Sequence, residues 1–285
     1  MTTATANPPR LRRSAVARFV RNREAMLGLL VLAVVVLVSL AAPLLAPADP
    51  TTGDPADVLA PIGAPGHLLG TDAQGRDVLS RVLHGGRGAL AVSVSSVAVA
   101  VVLGTALGLF GAFAGRRVSG LLMRVVDLLF AFPVILVALS LAAIVQPGVW
   151  VLIGTVVFGA VPYVTRVVFA EAKIEREKEY VEAARALGAS GTGILFGEVL
   201  PNLVSSVVIY GTSLVGVNIV FTASLSALGL GIQPPAADWG RMISEGAAVL
   251  VTGNPGVATF PAVAVLLVAL SFNWLGDGLR DVLDP

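Results

Sequence analysis

The chain has 285 residues, of which 56% are hydrophobic and 13% are charged, whereas soluble domains carry roughly 25% charged residues. Lipid rather than water is therefore the expected solvent for most of the chain. The formal net charge of +1 argues against an electrostatic nucleic-acid binder. The absence of cysteine excludes disulfides, thiolate metal sites and cysteine nucleophiles.

Candidate membrane spans are the stretches without Asp, Glu, Lys or Arg, because a helix that crosses the membrane needs about 20 apolar residues. These stretches are 25–48, 88–115, 128–165, 199–237 and 246–276. The third has room for two crossings joined by a turn at 145–150. The fourth has room for one crossing and a Gly- and Pro-rich segment, which protein or water must shield from lipid. The sequence therefore predicts an all-α integral membrane protein with six transmembrane helices.

The distribution of Lys and Arg predicts the orientation in the membrane. If the N-terminus is cytoplasmic, fifteen of the 19 basic residues lie in cytoplasmic segments. The others are Arg76, Arg81, Arg87 and Arg241. The reverse orientation would invert this excess, so both the N- and the C-terminus are predicted to be cytoplasmic. The first apolar run is longer than the roughly 7–15 residues of a signal-peptide core, and it is predicted to be an uncleaved anchor.

These spans divide the chain into predicted parts. The parts are a cytoplasmic basic leader (1–24), a first transmembrane helix (25–48), an external segment with an amphipathic helix (49–87) and a core of five transmembrane helices (88–285). A cytoplasmic loop at about 167–202 lies between spans 4 and 5.

The external segment contains the pattern of a helix start. Thr71 with Gln74 has the spacing of a capping box. One face of the predicted helix carries Val78, Leu79, Val82 and Leu83. Such a helix either lies on the outer membrane surface or belongs to a platform that receives a binding protein, and the structural role is favoured.

Charged and histidine side chains of this segment are expected to be structural. Asp77 and Arg81 are spaced i,i+4, which predicts a modest ion pair. His67 and His84 are the only histidines, and the sequence around them has no cysteine and no dense carboxylate cluster. No metal site is therefore expected.

Two features of the spans have simple structural interpretations. Arg124 and Asp127 are spaced i,i+3 near the inner end of the third span, where an ion pair that anchors the helix is favoured over a proton or substrate site. Pro133 is expected to kink that helix. The stretch "GTSLVG" (211–216) has no histidine or other base nearby in sequence, so we interpret its small residues as a close helix-packing surface.

The largest internal polar loop lies at 167–200. "FAEAKIEREKEYVEAARALG" (169–188) contains strong helix formers and predicts one helix that Gly188 ends in the left-handed conformation. Its predicted shared face carries Ile174, Val181, Ala184 and Leu187. A second short helix is expected to run to Pro201, where the next span begins. This elbow is either an amphipathic connector in the headgroup layer or a docking surface, because Ala183 and Ala184 allow close approach beside Glu182 and Arg185.

The segment before the last span has two open interpretations. Its Gly- and Pro-rich backbone either forms part of the translocation path or is an external loop anchored by an interfacial tryptophan. The candidate path residues are Gly229, Gly231, Pro234, Pro235 and Trp239. The C-terminal tail is expected to be a short polar helix, for which a solvated end is favoured over a brace for a partner; its charged residues are Asp277, Arg280, Asp281 and Asp284.

The 179–202 stretch resembles the EAA loop of permease subunits of ABC importers. Glu182-Ala183-Ala184 is followed at the family spacing by Gly188, and Leu200-Pro201 closes the motif; Glu198 replaces the usual isoleucine. Three further stretches, 67–90, 227–246 and 275–285, resemble the dipeptide/oligopeptide/nickel permeases of the "C" type. The resemblance implies that the loop is a coupling helix in a groove of the ATPase. The implied ATPase-coupling residues are Glu182, Ala183, Ala184, Arg185, Gly188, Leu200 and Pro201.

The resemblance also implies the partners and the activity. The partners are a second permease subunit in a heterodimer, two cytoplasmic ATPases and an external substrate-binding protein. The chain has no phosphate loop, since neither Lys173 nor Lys178 follows a glycine. It is expected to bind no cofactor and no metal and to have no catalytic residues, while the partner ATPases use ATP and Mg²⁺.

The implied function is ATP-driven import of peptides or a related small solute across the cell membrane. Alternatives are a permease for nickel chelates and a homodimeric permease. A secondary transporter would normally carry ionisable residues near mid-membrane, and a membrane-embedded enzyme would need a catalytic cluster. The charge-free spans argue against both.

Overall fold

The computed structural model describes residues 17–283. Within this range the chain is almost entirely helical and forms no strand. The main helices are α1 (Arg23–Leu40), α2 (Val78–Phe113), α3 (Arg116–Phe130), α4 (Val134–Val145), α5 (Val149–Arg176), α6 (Glu179–Ala186), α7 (Leu200–Ala227), α8 (Trp239–Ala248) and α9 (Gly256–Leu283). Short helical turns lie at Ala42–Leu45, Pro55–Asp57, Gly191–Ile194, Leu195–Val199 and Leu250–Thr252.

Within the described range, five helices are long and apolar enough to cross a membrane, and a bent pair makes a sixth crossing if it counts as one span. The five are α1, α2, α5, α9 and the run through α7. The bent pair is α3 and α4, which meet at 83°. The predicted kink at Pro133 is a full break, because Pro133 has no N–H to donate to the preceding turn and instead precedes the first residue of α4.

Small residues bring the long helices into close contact. A Cβ on Gly108 of α2 would lie 2.8 Å from Val168 Cβ of α5, and a Cβ on Gly216 of α7 would lie 2.9 Å from the Ala269 carbonyl oxygen of α9. Real Cβ atoms do not approach so closely, so both positions need glycine. The second contact confirms the predicted role of the 211–216 stretch in helix packing.

Helix α2 begins later, and continues further, than the capping pattern predicts. The hydroxyl of Thr71 donates to the Asp57 carbonyl instead of capping a helix. The chain then turns through Gly75, and Asp77 caps α2 by accepting from the Ser80 N–H at 2.7 Å. The predicted separate amphipathic helix is therefore wrong: these residues are the first turns of a 36-residue helix.

Connections between helices gather at two ends of the bundle. The loop end consists of segments 41–77, 146–148 and 228–255, and it is held together by bonds such as Gly148 N–H to Leu230 O at 3.1 Å. The elbow end consists of 114–115, 177–199 and the described chain ends. The candidate site residues divide between these two ends.

The C-terminal residues continue α9 and are packed against the N-terminal segment. Asn22 donates to the Asp281 carboxylate at 2.8 Å, and Arg18 donates to the Val282 carbonyl at 3.1 Å. The charged residues Asp277, Arg280 and Asp281 are exposed, as predicted, although Asp281 also accepts a bond from the N-terminal segment. Asp284 lies outside the described residues, as does most of the basic leader.

Candidate coupling elbow and the opposite end of the bundle

The elbow comprises residues 177–202, between α5 and α7. The prediction of one helix over 169–188 is wrong, because α5 ends at Arg176 and α6 begins at Glu179. Lys178 between them has extended backbone (φ −74°, ψ 149°). Because of this break, α6 does not continue the helix of α5, and most of its residues are exposed.

The predicted glycine cap of α6 is confirmed. Gly188 has φ +88°, a conformation that costs glycine little and other residues much. Its N–H donates to Arg185 O at 3.0 Å, and the Ala189 N–H donates to Ala184 O at 3.0 Å. This pair of bonds is the Schellman motif, which satisfies the last carbonyls of a helix.

The exposed surface of α6 carries most of the predicted coupling residues. Glu182, Ala183 and Arg185 are exposed, and Ala184 is partly buried. The predicted shared face is wrong: Val181 is fully buried, but Ile174 is exposed and Leu187 is 90% exposed. The reason is the break after α5, which takes Ile174 out of line with α6.

The elbow surface carries two apolar side chains, of which sequence reasoning placed Leu187 on a shared face and did not consider Phe196. Leu187 and Phe196 are both exposed. The available signal was the position of Leu187 directly before the capping glycine, where the chain leaves the helix and the side chain has little to pack against.

The second half of the elbow is continuous with the next span. Gly191–Ile194 leads through a π turn at Leu195–Val199 directly into α7. The predicted separate helix ending at Pro201 is therefore wrong. Pro201 stands at the second position of α7 and lacks an N–H, and the wide turn just before it accommodates the missing bond. Leu200 is partly buried and Pro201 is exposed.

A polar cluster lies behind α6, beside an open cavity of about 530 Å³. The Tyr180 hydroxyl donates to Glu175 Oε1 at 2.5 Å and accepts from Asn202 Nδ2 at 2.9 Å. Lys178 Nζ lies 2.7 Å from Glu175 Oε2. Burial, followed by the bond to the Glu175 carboxylate, raises the pKa of Tyr180. The phenol therefore stays protonated and able to donate.

Asp127 is paired, but not with the predicted partner. Its carboxylate bonds to Arg166 of α5, and the Arg166 guanidinium lies 4.7 Å from the centre of the Phe130 ring. The predicted pair with Arg124 is therefore wrong. Packing of α3 on α5 brings a basic side chain from another helix to the carboxylate, and the interaction joins two helices.

The loop end contains a buried ion cluster. Arg76 lies 2.7 Å from Asp72 and 3.1 Å from Glu245. Arg81, only 1% exposed, lies 3.4 Å from Asp72 and 3.5 Å from Glu245. Arg241 lies 2.9 Å from Glu245. The cluster joins the segment before α2, α2 itself and α8, and it contains more guanidinium than carboxylate groups.

The predicted Asp77–Arg81 pair is wrong, because both side chains have other partners. Arg81 belongs to the ion cluster, whereas Asp77 caps α2 and accepts from His67 Nδ1 at 3.0 Å. His67 Nε2 also lies 3.5 Å from Asp57. His67 thus has carboxylates around it that its sequence neighbours do not reveal. The described residues nevertheless contain no group of three or more His, Asp or Glu side chains placed to hold a metal ion.

The His67 contacts predict a pH-dependent stability of the loop end. The bond to Asp77, supported by Asp57, raises the pKa of His67 above its ordinary value of 6.5. A raised histidine pKa stabilises the fold fully below the unfolded value and loses this contribution as pH rises through the folded value. We expect the thermal midpoint of the purified protein to fall over that window. His67→Gln should abolish the step and His84→Gln should keep it; a step unchanged in His67→Gln would contradict the assignment.

The candidate path residues occupy different environments. Trp239 is only 2% exposed, and its Nε1 donates to the Val82 carbonyl at 2.8 Å. The interfacial-anchor interpretation is therefore wrong, because the indole, which belongs to the first residue of α8, is buried against Gly85 and Gly86 of α2. Gly231 is also buried. Gly229, Pro234 and Pro235 are exposed at the loop end.

The architecture is that of an ABC transporter permease. A solved structure described as inward-facing conformations of the MetNI methionine ABC transporter has a similar fold, with a TM-score of 0.60 over 71% of this chain and 96% of that chain. The sequence identity is 21%, so this likeness concerns the fold alone.

Family models and curated relatives place the chain more narrowly. Residues 100–285 match the binding-protein-dependent transport system inner membrane component, and residues 10–61 match the N-terminal TM domain of oligopeptide transport permease C. The glutathione transport system permease protein GsiD of Pectobacterium atrosepticum is 39% identical over 94% of this chain and 89% of its own length. The Escherichia coli protein of that name is 40% identical over 94% and 88%.

The chain belongs to the family of binding-protein-dependent transport system inner membrane components. It is a permease subunit of an ABC importer of the peptide-transporting type, and it is a multi-pass protein of the inner membrane. Membership of this family implies ATPase and substrate-binding protein partners.

Proposed function

We propose that this permease subunit imports a small peptide of about the size of glutathione and is driven by ATPases that dock on the elbow. The observation that carries the proposal is α6: a short, capped helix with an exposed Glu182-Ala183-Ala184-Arg185 surface, set apart from the spans by the break at 177–178. Such a helix is suited to insertion into a groove of another protein.

The composition of the elbow surface supports docking. The methyl side chains of Ala183 and Ala184 allow a close approach, while Glu182 and Arg185 supply charged contacts beside them. Exposed Leu187 adds an apolar anchor at the end of the helix. An apolar centre with a polar, charged rim is the usual anatomy of an interface between proteins.

The orientation follows from the basic residues. The elbow end carries most of the Lys and Arg of the chain, which favours a cytoplasmic location for this end. The loop end would then face the substrate-binding protein. In this arrangement ATP hydrolysis belongs to the partner ATPases, which use ATP and Mg²⁺, and this chain binds no cofactor.

The coupling mechanism requires two states of the complex. ATP binding closes the ATPase pair, the movement passes through the elbow into the spans, and the central cavity changes from inward- to outward-facing. Solute then enters from the binding protein, and hydrolysis resets the cavity. Because a ligand shifts an equilibrium only through its differential contacts with two states, the docked elbow must contact the ATPase differently in each.

The names of the relatives support the substrate class. Curated relatives at 39–40% identity are glutathione transport permeases, and the N-terminal region matches an oligopeptide permease model. We propose a heterodimer with a second permease subunit. Nickel chelates and a homodimer remain the alternatives that experiment must separate.

The proposal is tested by purifying the protein from its native membrane in a mild detergent and identifying what accompanies it by mass spectrometry. We expect a second permease, ATPases with a phosphate loop and a binding protein. Ala183→Arg should release the ATPases, whereas Gly115→Arg, at the same end with open space around its Cβ, should retain them. Uptake of labelled glutathione, a dipeptide and a nickel chelate then assigns the solute. Isolation without any ATPase would overturn the proposal in favour of a secondary carrier.

A further inference from the structure

Two consecutive residues at the end of α5 face different parts of the elbow end. Glu175 is only 8% exposed and bonds to Tyr180 and Lys178. Arg176 bonds to the Ala112 carbonyl at the end of α2. The last turn of α5 is thus joined to α6 on one side and to α2 on the other, immediately before the break at 177–178.

The Tyr180 hydroxyl connects three helices. It stands in the first turn of α6, donates to Glu175 of α5 at 2.5 Å and accepts from Asn202 of α7 at 2.9 Å. Asn202 also donates to the Glu198 carbonyl at 2.9 Å, which fixes its amide in place. A single phenol oxygen therefore links the short helix to both spans that flank the elbow.

Apolar contact holds α6 at a single point, where Val181 packs in a buried cluster with Ala172, Ile194 and Val199. Val181 is the only buried residue of this eight-residue helix. The Tyr180 side of the elbow faces the open cavity of about 530 Å³ rather than a packed core. One buried side chain fixes the distance of α6 from the bundle but not its rotation, so the directional bonds of Tyr180 are needed to set its angle.

We propose that Tyr180 and Glu175 are positioning residues that transmit the movement of α6 to α5 and α7. The inference rests on the proposed docking of ATPases on the elbow and deepens it. Docking uses the exposed Glu182–Arg185 surface, whereas transmission uses the Tyr180 hydroxyl through its bonds to Glu175 and Asn202. The two functions are therefore separable by mutation.

We call the bonded set of Glu175, Tyr180 and Asn202 the clamp. The Glu175 carboxylate is the acceptor that holds it to α5. It is held from two directions, by Lys178 Nζ at 2.7 Å and by the Tyr180 hydroxyl. Bonds to a charged acceptor are stronger and more geometrically defined than bonds between neutral groups. When α6 is displaced, the displacement passes to α5 through Glu175 and to α7 through Asn202, and Arg176 passes it from α5 to α2.

The experiment uses the complete complex in lipid nanodiscs. Since the chain has no cysteine, Ala236→Cys at the exposed loop end provides a unique label on this subunit. The rate of its reaction with a membrane-impermeant maleimide is measured with and without ATP and vanadate. ATP hydrolysis and retention of the ATPases are measured on the same samples, and no transported solute is needed.

Tyr180→Phe removes the hydroxyl and keeps the ring. We expect it to retain the ATPases and hydrolyse ATP, but to reduce the nucleotide-induced change in labelling rate about tenfold, as loss of bonds to a charged group implies. Glu175→Gln keeps an acceptor for Tyr180 and should give an intermediate loss. Glu177→Gln, an exposed glutamate two residues away, is the matched control and should behave as wild type.

The outcomes separate the inference from the proposed function. If the wild-type complex retains no ATPase, the proposed function fails. If Tyr180→Phe retains the ATPases and keeps the full labelling change, the inference is overturned while docking stands. Loss of the ATPases in Tyr180→Phe would assign Tyr180 to docking and also overturn it. If the Tyr180→Phe subunit does not insert into the membrane, Asn202→Ala tests the α7 side of the same link by the same criterion.

Discussion

Replacing Gly188 with valine is expected to reduce transport to near background while the protein still inserts into the membrane. At φ +88° a residue with a Cβ is disfavoured by about 1–2 kcal/mol, and a β-branched side chain is worse. The strain opposes the two cap bonds to Ala184 and Arg185. Uptake by membrane vesicles, normalised to the amount of permease in the membrane, measures the effect.

The control for Gly188 is another glycine of the elbow. Gly191 opens the next helical turn with an ordinary φ, and nothing lies within 4 Å of a Cβ at either position. Gly191→Ala should therefore transport normally, while Gly188→Ala should be impaired and Gly188→Asn less so, because asparagine tolerates the left-handed region. Normal uptake by Gly188→Val, or equal losses at both glycines, would show that the cap conformation is not required.

Replacing Glu245 with glutamine should be strongly destabilising, because it removes a charge that faces three guanidinium groups. Arg76, Arg81 and Arg241 all lie within 3.5 Å of this carboxylate. Breaking a fully buried charge pair by removing one partner costs about 3 kcal/mol or more; because the Glu245 side chain is 23% exposed, we expect the loss to fall below that figure. A lower midpoint of thermal unfolding in detergent is the expected result.

Because the cluster has more guanidinium than carboxylate groups, a second test removes a positive charge instead of a negative one. Arg81→Met also removes a buried charge, but it brings the numbers of guanidinium and carboxylate groups into balance. It should therefore cost less than Glu245→Gln. Glu179→Gln, an exposed change of the same chemistry, should leave the midpoint unchanged. If Arg81→Met lowered the midpoint of thermal unfolding more than Glu245→Gln, the excess of positive charge would not determine the stability of the cluster.

Features that depend on local sequence were predictable. The charge-free stretches identify the apolar spans, because the cost of charge in lipid acts on each segment separately. The Gly188 cap was also predictable, since a helix-forming run followed by glycine defines it without reference to other segments. The small residues of 211–216 indicated close packing for the same reason.

Features that depend on tertiary contact were not predictable. Asp127 was assigned to its helical neighbour, but its partner Arg166 comes from α5. Trp239 was placed at the membrane interface, yet the Val82 carbonyl gives its indole N–H a buried partner. In each case the actual partner is a residue distant in sequence that folding brings into contact.

The clamp behind α6 illustrates the same limit. Glu175 and Tyr180 are five residues apart, which is not a helical contact spacing, and Asn202 lies 22 residues beyond Tyr180, so no spacing rule connects the three. Strong helix formers also extend without interruption over 169–188, so the break after Arg176 has no local signal. The bonds of Glu175 to Lys178 and Tyr180 across the break, and the bond of Tyr180 to Asn202, stabilise it where propensity alone would continue the helix.

The bend between α3 and α4 has a consequence for how the bundle changes shape. Helix α4 has 12 residues, which rise about 18 Å at roughly 1.5 Å per residue, less than the hydrocarbon core of about 30 Å. The bend leaves little unpaired backbone, since the Ala131 and Phe132 N–H groups bond to Leu128 and Leu129. No backbone hydrogen bond found among the described residues joins α3 to α4 across Pro133. A change in the angle between the two helices would therefore break no hydrogen bond within either helix.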